Sequence, residues 1–260
     1  MWKIKEEDLD QFRVTCKSRL SPEGALGFMI GTIVYVSVMM FFLIGTLVTF
    51  GWDYYTSLFE KTIVKIELVL YSLQIIFLIL YSFPKARFKF QEFQTIVVLL
   101  YAFQLGTILF TALILPGISD YTIDGITLVY VGFLFIGAVI LHIVTTIDTF
   151  KQASEGAFSM NERSAPFFSK TKGAMMKVDL IYALILLVLI YFHNDYAIDT
   201  LIGYVIGTVL LYTVAVGAAE FQLLVYCRFK FKSFNMTWEE NERMRGKTRK
   251  QNKKSKSKSK

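Results

Sequence analysis

The sequence predicts an all-α integral membrane protein of six transmembrane helices, with both termini cytoplasmic. Three observations carry that expectation. Of 260 residues, 54% are hydrophobic, and a mean hydropathy of +0.48 arises from apolar blocks long enough to cross a bilayer core of about 30 Å. All but two of the 28 Lys and Arg residues, Lys61 and Lys65, lie on one side of those blocks. With only 2 Cys, the chain has no disulfide framework and cannot be a small secreted scaffold.

The blocks read as spans at 26–50, 62–83, 95–115, 125–147, 178–193 and 199–226. Ser21-Pro22-Glu23 precedes the first, giving an N-cap, a proline tolerated at the first helical position, and an acid suited to the helix dipole. The fifth block, Val178 to His193, is short and is expected to borrow polar residues at its ends. Basic residues cluster in 1–25, after span two (Lys85, Arg87, Lys89), in 148–177, and from Arg228 onward. The turns near 116–124 and 194–198 have none, so the positive-inside rule places three short turns outside. Residues 1–25 are too charged for a cleavable signal, and span one reads as an uncleaved anchor. The sequon at Asn235-Met236-Thr237 then falls on the cytoplasmic side and is discounted.

This gives a cytoplasmic arm at 1–24, a membrane domain at 25–227 and a polybasic tail at 228–260 that is largely disordered. Leu9, Phe12, Cys16 and Leu20 recur at helical spacing, so the arm reads either as an amphipathic helix on the inner leaflet or as a solvated segment. In 148–177, Gly156, Pro166 and Gly173 interrupt a continuous helix, and Phe150, Phe158, Phe167 and Phe168 suit the interface. The tail opens with alternating basic and aromatic residues from Arg228 to Phe234, which suit lipid headgroups. Thr237-Trp238-Glu239-Glu240 forms a capping box. Lys256 and Lys258 resemble a dilysine retrieval signal. The expected location is the endoplasmic reticulum membrane in a eukaryote and the plasma membrane in a bacterium.

Short echoes suggest three related helical hairpins. Asp120-Tyr121-Thr122-Ile123-Asp124 nearly repeats as Asp195-Tyr196-Ala197-Ile198-Asp199, and Arg87-Phe88-Lys89-Phe90 matches Arg228-Phe229-Lys230-Phe231. Interfacial anchoring alone produces similar recurrences.

Ionisable groups inside spans are functional candidates because burying them in lipid is costly. Glu220 and His142 lie at similar depth on helices of the same direction, so they are expected to pair and to shuttle a proton or hold a cation, with Gly217, Ala218 and Ala219 allowing close approach. Gln74 and Gln104 would line the same path. Lys65 and Glu67 read as an outer anchor rather than a site. Asp120, Asp124, Asp195 and Asp199 form an acidic outer rim that would concentrate cations. His193 beside Asp195 falls short of a metal site, and neither metal nor cofactor is expected. Four Gly-Thr pairs, at Gly31, Gly45, Gly106 and Gly207, read as helix-packing positions.

No catalytic motif is present: H-E-x-x-H, G-x-S-x-G, Walker A and paired Cys-x-x-Cys are all missing. Cys16 and Cys227 are at most lipidation candidates. The expected function is a small transporter, channel-type protein or membrane subunit of a transport system. The alternative is a non-catalytic scaffold or accessory protein acting through partners on 148–177 and 228–260; an intramembrane enzyme ranks third. The expected surroundings are a bilayer with an anionic inner leaflet. Nucleic acid is not an expected partner: the net charge of +7 comes from the tail, where thirteen of the 28 basic residues follow Cys227 and leave the rest slightly acidic. Oligomeric state is not legible.

Overall fold

The computed structural model describes residues 3–119, 123–159, 170–193, 198–243 and 246. The helices are α1 (Asp10–Lys17), α2 (Pro22–Phe50), α3 (Leu58–Ser82), α4 (Pro84–Lys89), α5 (Gln91–Ser119), α6 (Gly125–Ser154), α7 (Lys170–His193) and α8 (Ile198–Lys230). Among the described residues, six helices are long and apolar enough to cross a membrane, the architecture of a multi-pass integral membrane protein. Their outward faces carry large exposed apolar side chains such as Phe41, Val48 and Ile79. So many would be untenable in water.

Local signals explain the helix starts. Ser21 accepts a hydrogen bond from Gly24 N–H at 3.2 Å ahead of Pro22. Ser57 and Glu60 form a reciprocal capping box at α3. Asp124 caps α6 through Thr127 N–H at 2.9 Å. The helices outrun the apolar blocks because polar residues continue them beyond the hydrocarbon. Thus α7 begins at Lys170 and contains Gly173, expected to break it. An interior Gly costs only about 1 kcal/mol, which a long helix tolerates. The fifth span, still the shortest at 21 residues from Gly173 to His193, is lengthened by these polar residues at its start.

At the core, α8 is wedged between α5 and α6 and packs on both more extensively than on its sequence neighbour α7. Phe110, Leu134, Ile190, Tyr204 and Leu211 fill this region. The three hairpins are thus not packed as equivalent units. Gly106 and Gly207 do permit close contact between α5 and α8: a Cβ at Gly207 would lie 3.1 Å from the Phe110 ring. A Cβ at Gly31, Gly45 or Gly217 would meet nothing within 4 Å among the described residues, so these three serve no close helix contact there. A second apolar layer, including Val36, Met40, Val64 and Ile108, joins α2, α3 and α5.

The N-terminal segment departs from both expectations for it. Leu9, Phe12 and Cys16 are buried against Leu223, Leu224 and Cys227 of α8 and against Phe234, so the apolar face of α1 is covered by protein. Phe158 is buried there too and Phe150 packs against the cluster, so neither dips toward lipid; Phe167 and Phe168 lie outside the described residues. Burial pushes the Cys16 thiol well above its ordinary range. Cys227 is also buried, and neither thiol is presented for lipidation.

The start of the tail is structured. Helix α8 runs to Lys230, Phe234 and Met236 are buried, and Thr237 caps residues 238–243 by accepting from Glu240 N–H at 3.2 Å. Arg228, expected at lipid phosphate, is 1% exposed and donates to Leu20 O (2.9 Å), Gln91 O (3.0 Å) and Thr95 Oγ1 (2.6 Å). Its echo Arg87 is likewise buried, donating to Tyr81 O at 2.9 Å and Ser82 O at 3.1 Å. Both arginines satisfy backbone carbonyls near helix ends.

Candidate functional site

A polar stripe runs along one face of α3. Glu60, Glu67, Gln74 and Tyr81 recur every seven residues, about two helical turns, and all four are buried. Glu60 serves the capping box, accepting from Ser57 N–H at 3.4 Å, and also accepts from Thr56 N–H at 2.9 Å. Glu67, 5% exposed, enters the bundle and meets α5: its two carboxylate oxygens accept from Gln104 Nε2 at 2.7 Å and from Thr111 Oγ1 at 3.1 Å. Gln104 and Thr111 are themselves seven apart, so α5 presents a matching face.

Deeper along the stripe the hydrogen bonding is incomplete. Tyr101 of α5 donates to the Gln74 carbonyl, and Tyr71 shares a hydrogen bond with Ser37 of α2 at 2.9 Å. The Gln74 amide is fully buried, yet neither Oε1 nor Nε2 has a partner among the described residues. The same holds for Gln104 Oε1 and for the hydroxyls of Tyr35 and Tyr81, on the same α2–α3–α5 side. Unfilled hydrogen-bonding capacity is expensive inside a bilayer.

The pairing expected of His142 and Glu220 is not made. His142 Nδ1 lies 2.8 Å from Ala215 O and Nε2 lies 3.1 Å from Gln222 Nε2. Because the Gln222 amide nitrogen can only donate, Nε2 accepts and Nδ1 carries the proton toward Ala215, the neutral tautomer. Gln222 Oε1 then accepts from Thr146 at 2.8 Å. Both ring nitrogens are used, and the Phe103 ring stands edge-on at 5.5 Å.

Glu220 faces elsewhere: Arg19 Nη2 reaches its carboxylate at 3.0 and 3.2 Å. The reason is angular. Residues two apart on a helix point about 200° apart, so when Gln222 faces α6, Glu220 turns toward the α1–α2 junction. Depth along the membrane was matched, but direction around the helix was not.

At the far end, His193 Nε2 lies 2.6 Å from Asp124 Oδ2, so the histidine joins the α6 cap. Asp120 and Asp195 lie outside the described residues, and Asp199 is described only as part of α8. Lys65 stands over the Trp52 ring at 5.6 Å, separate from Glu67. Glu67, expected beside Lys65, instead meets Gln104 and Thr111 of α5. The signal was its seven-residue spacing to Gln74, masked by the neighbouring lysine.

The fold and its buried polar layers define a class, the multi-pass membrane protein. No protein family, curated protein or solved structure matches the chain.

Proposed function

We propose that this protein is a small transport protein, or the membrane subunit of one, that moves protons along the α3 stripe, alone or with a polar solute. The observation that supports this most is the Glu67 carboxylate, buried between α3 and α5 and held by Gln104 and Thr111, with the unpartnered amide of Gln74 two turns further on. An acid at this depth is retained against a large cost. Glu67 takes up a proton as carboxylate and releases it as carboxylic acid. Gln104 and Thr111 orient it, and ordered water bridging to Gln74 and the tyrosine hydroxyls completes the route. Under the positive-inside orientation Glu67 belongs to the outer half, toward the acidic turns.

Proteoliposomes carrying an imposed pH gradient and an internal pH-sensitive dye test the reading. Glu67→Gln is expected to slow protein-dependent proton entry by about a hundredfold, the scale of a lost acid–base group. Wild-type vesicles no more permeable than protein-free ones, under both a pH gradient and a membrane potential, would sink it.

A second reading is a non-catalytic accessory protein. It is favoured by the packed end formed by α1, α8 and residues 232–243, with Lys17 bonded to Glu240 at 2.7 Å, leading into a strongly cationic segment. Its partners would engage 148–177 and 228–260. Loss of phenotype on deleting 244–260, with Glu67→Gln silent, would select it.

A further inference from the structure

The end of the bundle that carries α1 and α4 holds a groove of about 1020 Å³ between α4 and the segment after α8. Its construction follows from the sequence. Pro84 ends α3 and starts α4, where three basic residues alternate. Arg87 turns inward to the α3 carbonyls and approaches Glu23 at 3.9 Å. Lys85 and Lys89, each two residues away and so about 200° round the helix, turn outward and are exposed.

The facing wall is fixed in place. Gln91 grips Met236 twice, donating to its carbonyl at 3.0 Å and accepting from its N–H at 2.9 Å. Asn235 donates to Glu92 at 2.8 Å, and Trp238 meets Phe88 edge-to-face at 5.4 Å. Between these fixed points Phe83, Phe88, Met236 and Trp238 form largely apolar walls, and Lys85, Lys89 and Lys232 stand around them. Glu239 also lines the groove, so the lysines outnumber the acids.

Charge and depth together choose the occupant. Lys85 and Lys232 make no ion pair among the described residues. The groove opens beside Phe83, 62% exposed at the end of a membrane-spanning helix, with exposed Phe90 and Phe93 nearby. Apolar walls, an indole and lysines at that level match an amphiphile with an anionic head. A soluble phosphate compound would leave the walls unused, and the volume exceeds what an inorganic anion needs.

We infer that this groove binds one anionic phospholipid, its phosphate against Lys85, Lys89 and Lys232 and the start of an acyl chain along Phe83 and Trp238. The test uses full-length protein in nanodiscs, with Trp2→Phe and Trp52→Phe leaving Trp238 as the sole indole. Brominated phosphatidylglycerol should quench Trp238 saturably, roughly tenfold more effectively than brominated phosphatidylcholine. Lys85→Gln, Lys89→Gln and Lys232→Gln together should abolish that preference. These side chains are exposed, so the fold is kept. Lys250→Gln, Lys253→Gln and Lys254→Gln together should leave it intact. Equal quenching by the two lipids overturns the inference, as does a preference that survives the groove variant or falls equally in the tail variant. Displacement by soluble glycerol phosphate at matched concentration would show a headgroup anion site and would equally overturn the lipid assignment.

Discussion

Two polar layers cross the interior of this bundle, and their hydrogen-bond arithmetic differs. Between α6 and α8, His142, Gln222, Thr146 and the Ala215 carbonyl form a set in which both imidazole nitrogens are used. Between α3 and α5, Glu67 is held by Gln104 and Thr111, but Gln74, Gln104 and two tyrosines leave atoms without partners among the described residues. The contrast is between a closed hydrogen-bond set and an open one. A closed polar layer fixes helix register and has nothing left to offer a solute, whereas an open one carries a standing cost that water or a passing ion relieves.

The comparison breaks most easily at Glu67. Beyond the loss of flux, Glu67→Gln should leave the thermal midpoint within a few degrees, because an amide still bridges Gln104 and Thr111 at a cost of about 1 kcal/mol. A collapse in stability with unchanged flux would move Glu67 into the glue category. Next in size is Gln222→Leu, which strands His142 Nε2 and Thr146. It should lower stability by about 1–2 kcal/mol in reversible denaturation from mixed micelles, with proton flux unchanged.

Gln74→Leu sharpens the contrast by its sign. Removing an amide with no partner should raise stability by about 1 kcal/mol while slowing flux, opposite to Gln222→Leu in both readouts. A destabilised Gln74→Leu protein would mean that the amide has a structural role. The smallest effect belongs to Arg19→Gln. Its guanidinium is 61% exposed opposite Glu220, so thermal melts should register less than about 1 kcal/mol, and flux should not respond.

Much of the architecture was legible because apolar length and basic-residue sorting are strong signals. All six spans coincide with helices, although polar ends such as Lys170–Lys177 extend them past the apolar blocks. Of the candidate site, Gln74 and Gln104 stand out in the sequence as intramembrane polar residues, but Glu67, which accepts from Gln104, reads as an anchor there because Lys65 is beside it. Depth and helix direction, which hydropathy and topology report, match for Glu220 and His142. Direction around the helix depends on which neighbour each face meets, and α8 meets both α5 and α6. Likewise Arg228 looked like a headgroup ligand because nothing local reveals that Leu20 and Gln91 bring carbonyls to it.

The central claim is that the α3 stripe is open to water and the α6–α8 layer is closed. Substituted-cysteine accessibility tests it directly, since Cys16 and Cys227 are buried and contribute little background. Gln74→Cys and Gln222→Cys proteins in sealed proteoliposomes would each be treated with a small cationic thiosulfonate. The account predicts that Cys at 74 is modified and its reaction slowed by Glu67→Gln, while Cys at 222 stays unmodified. Equal protection at both positions, or modification at 222 alone, would contradict it.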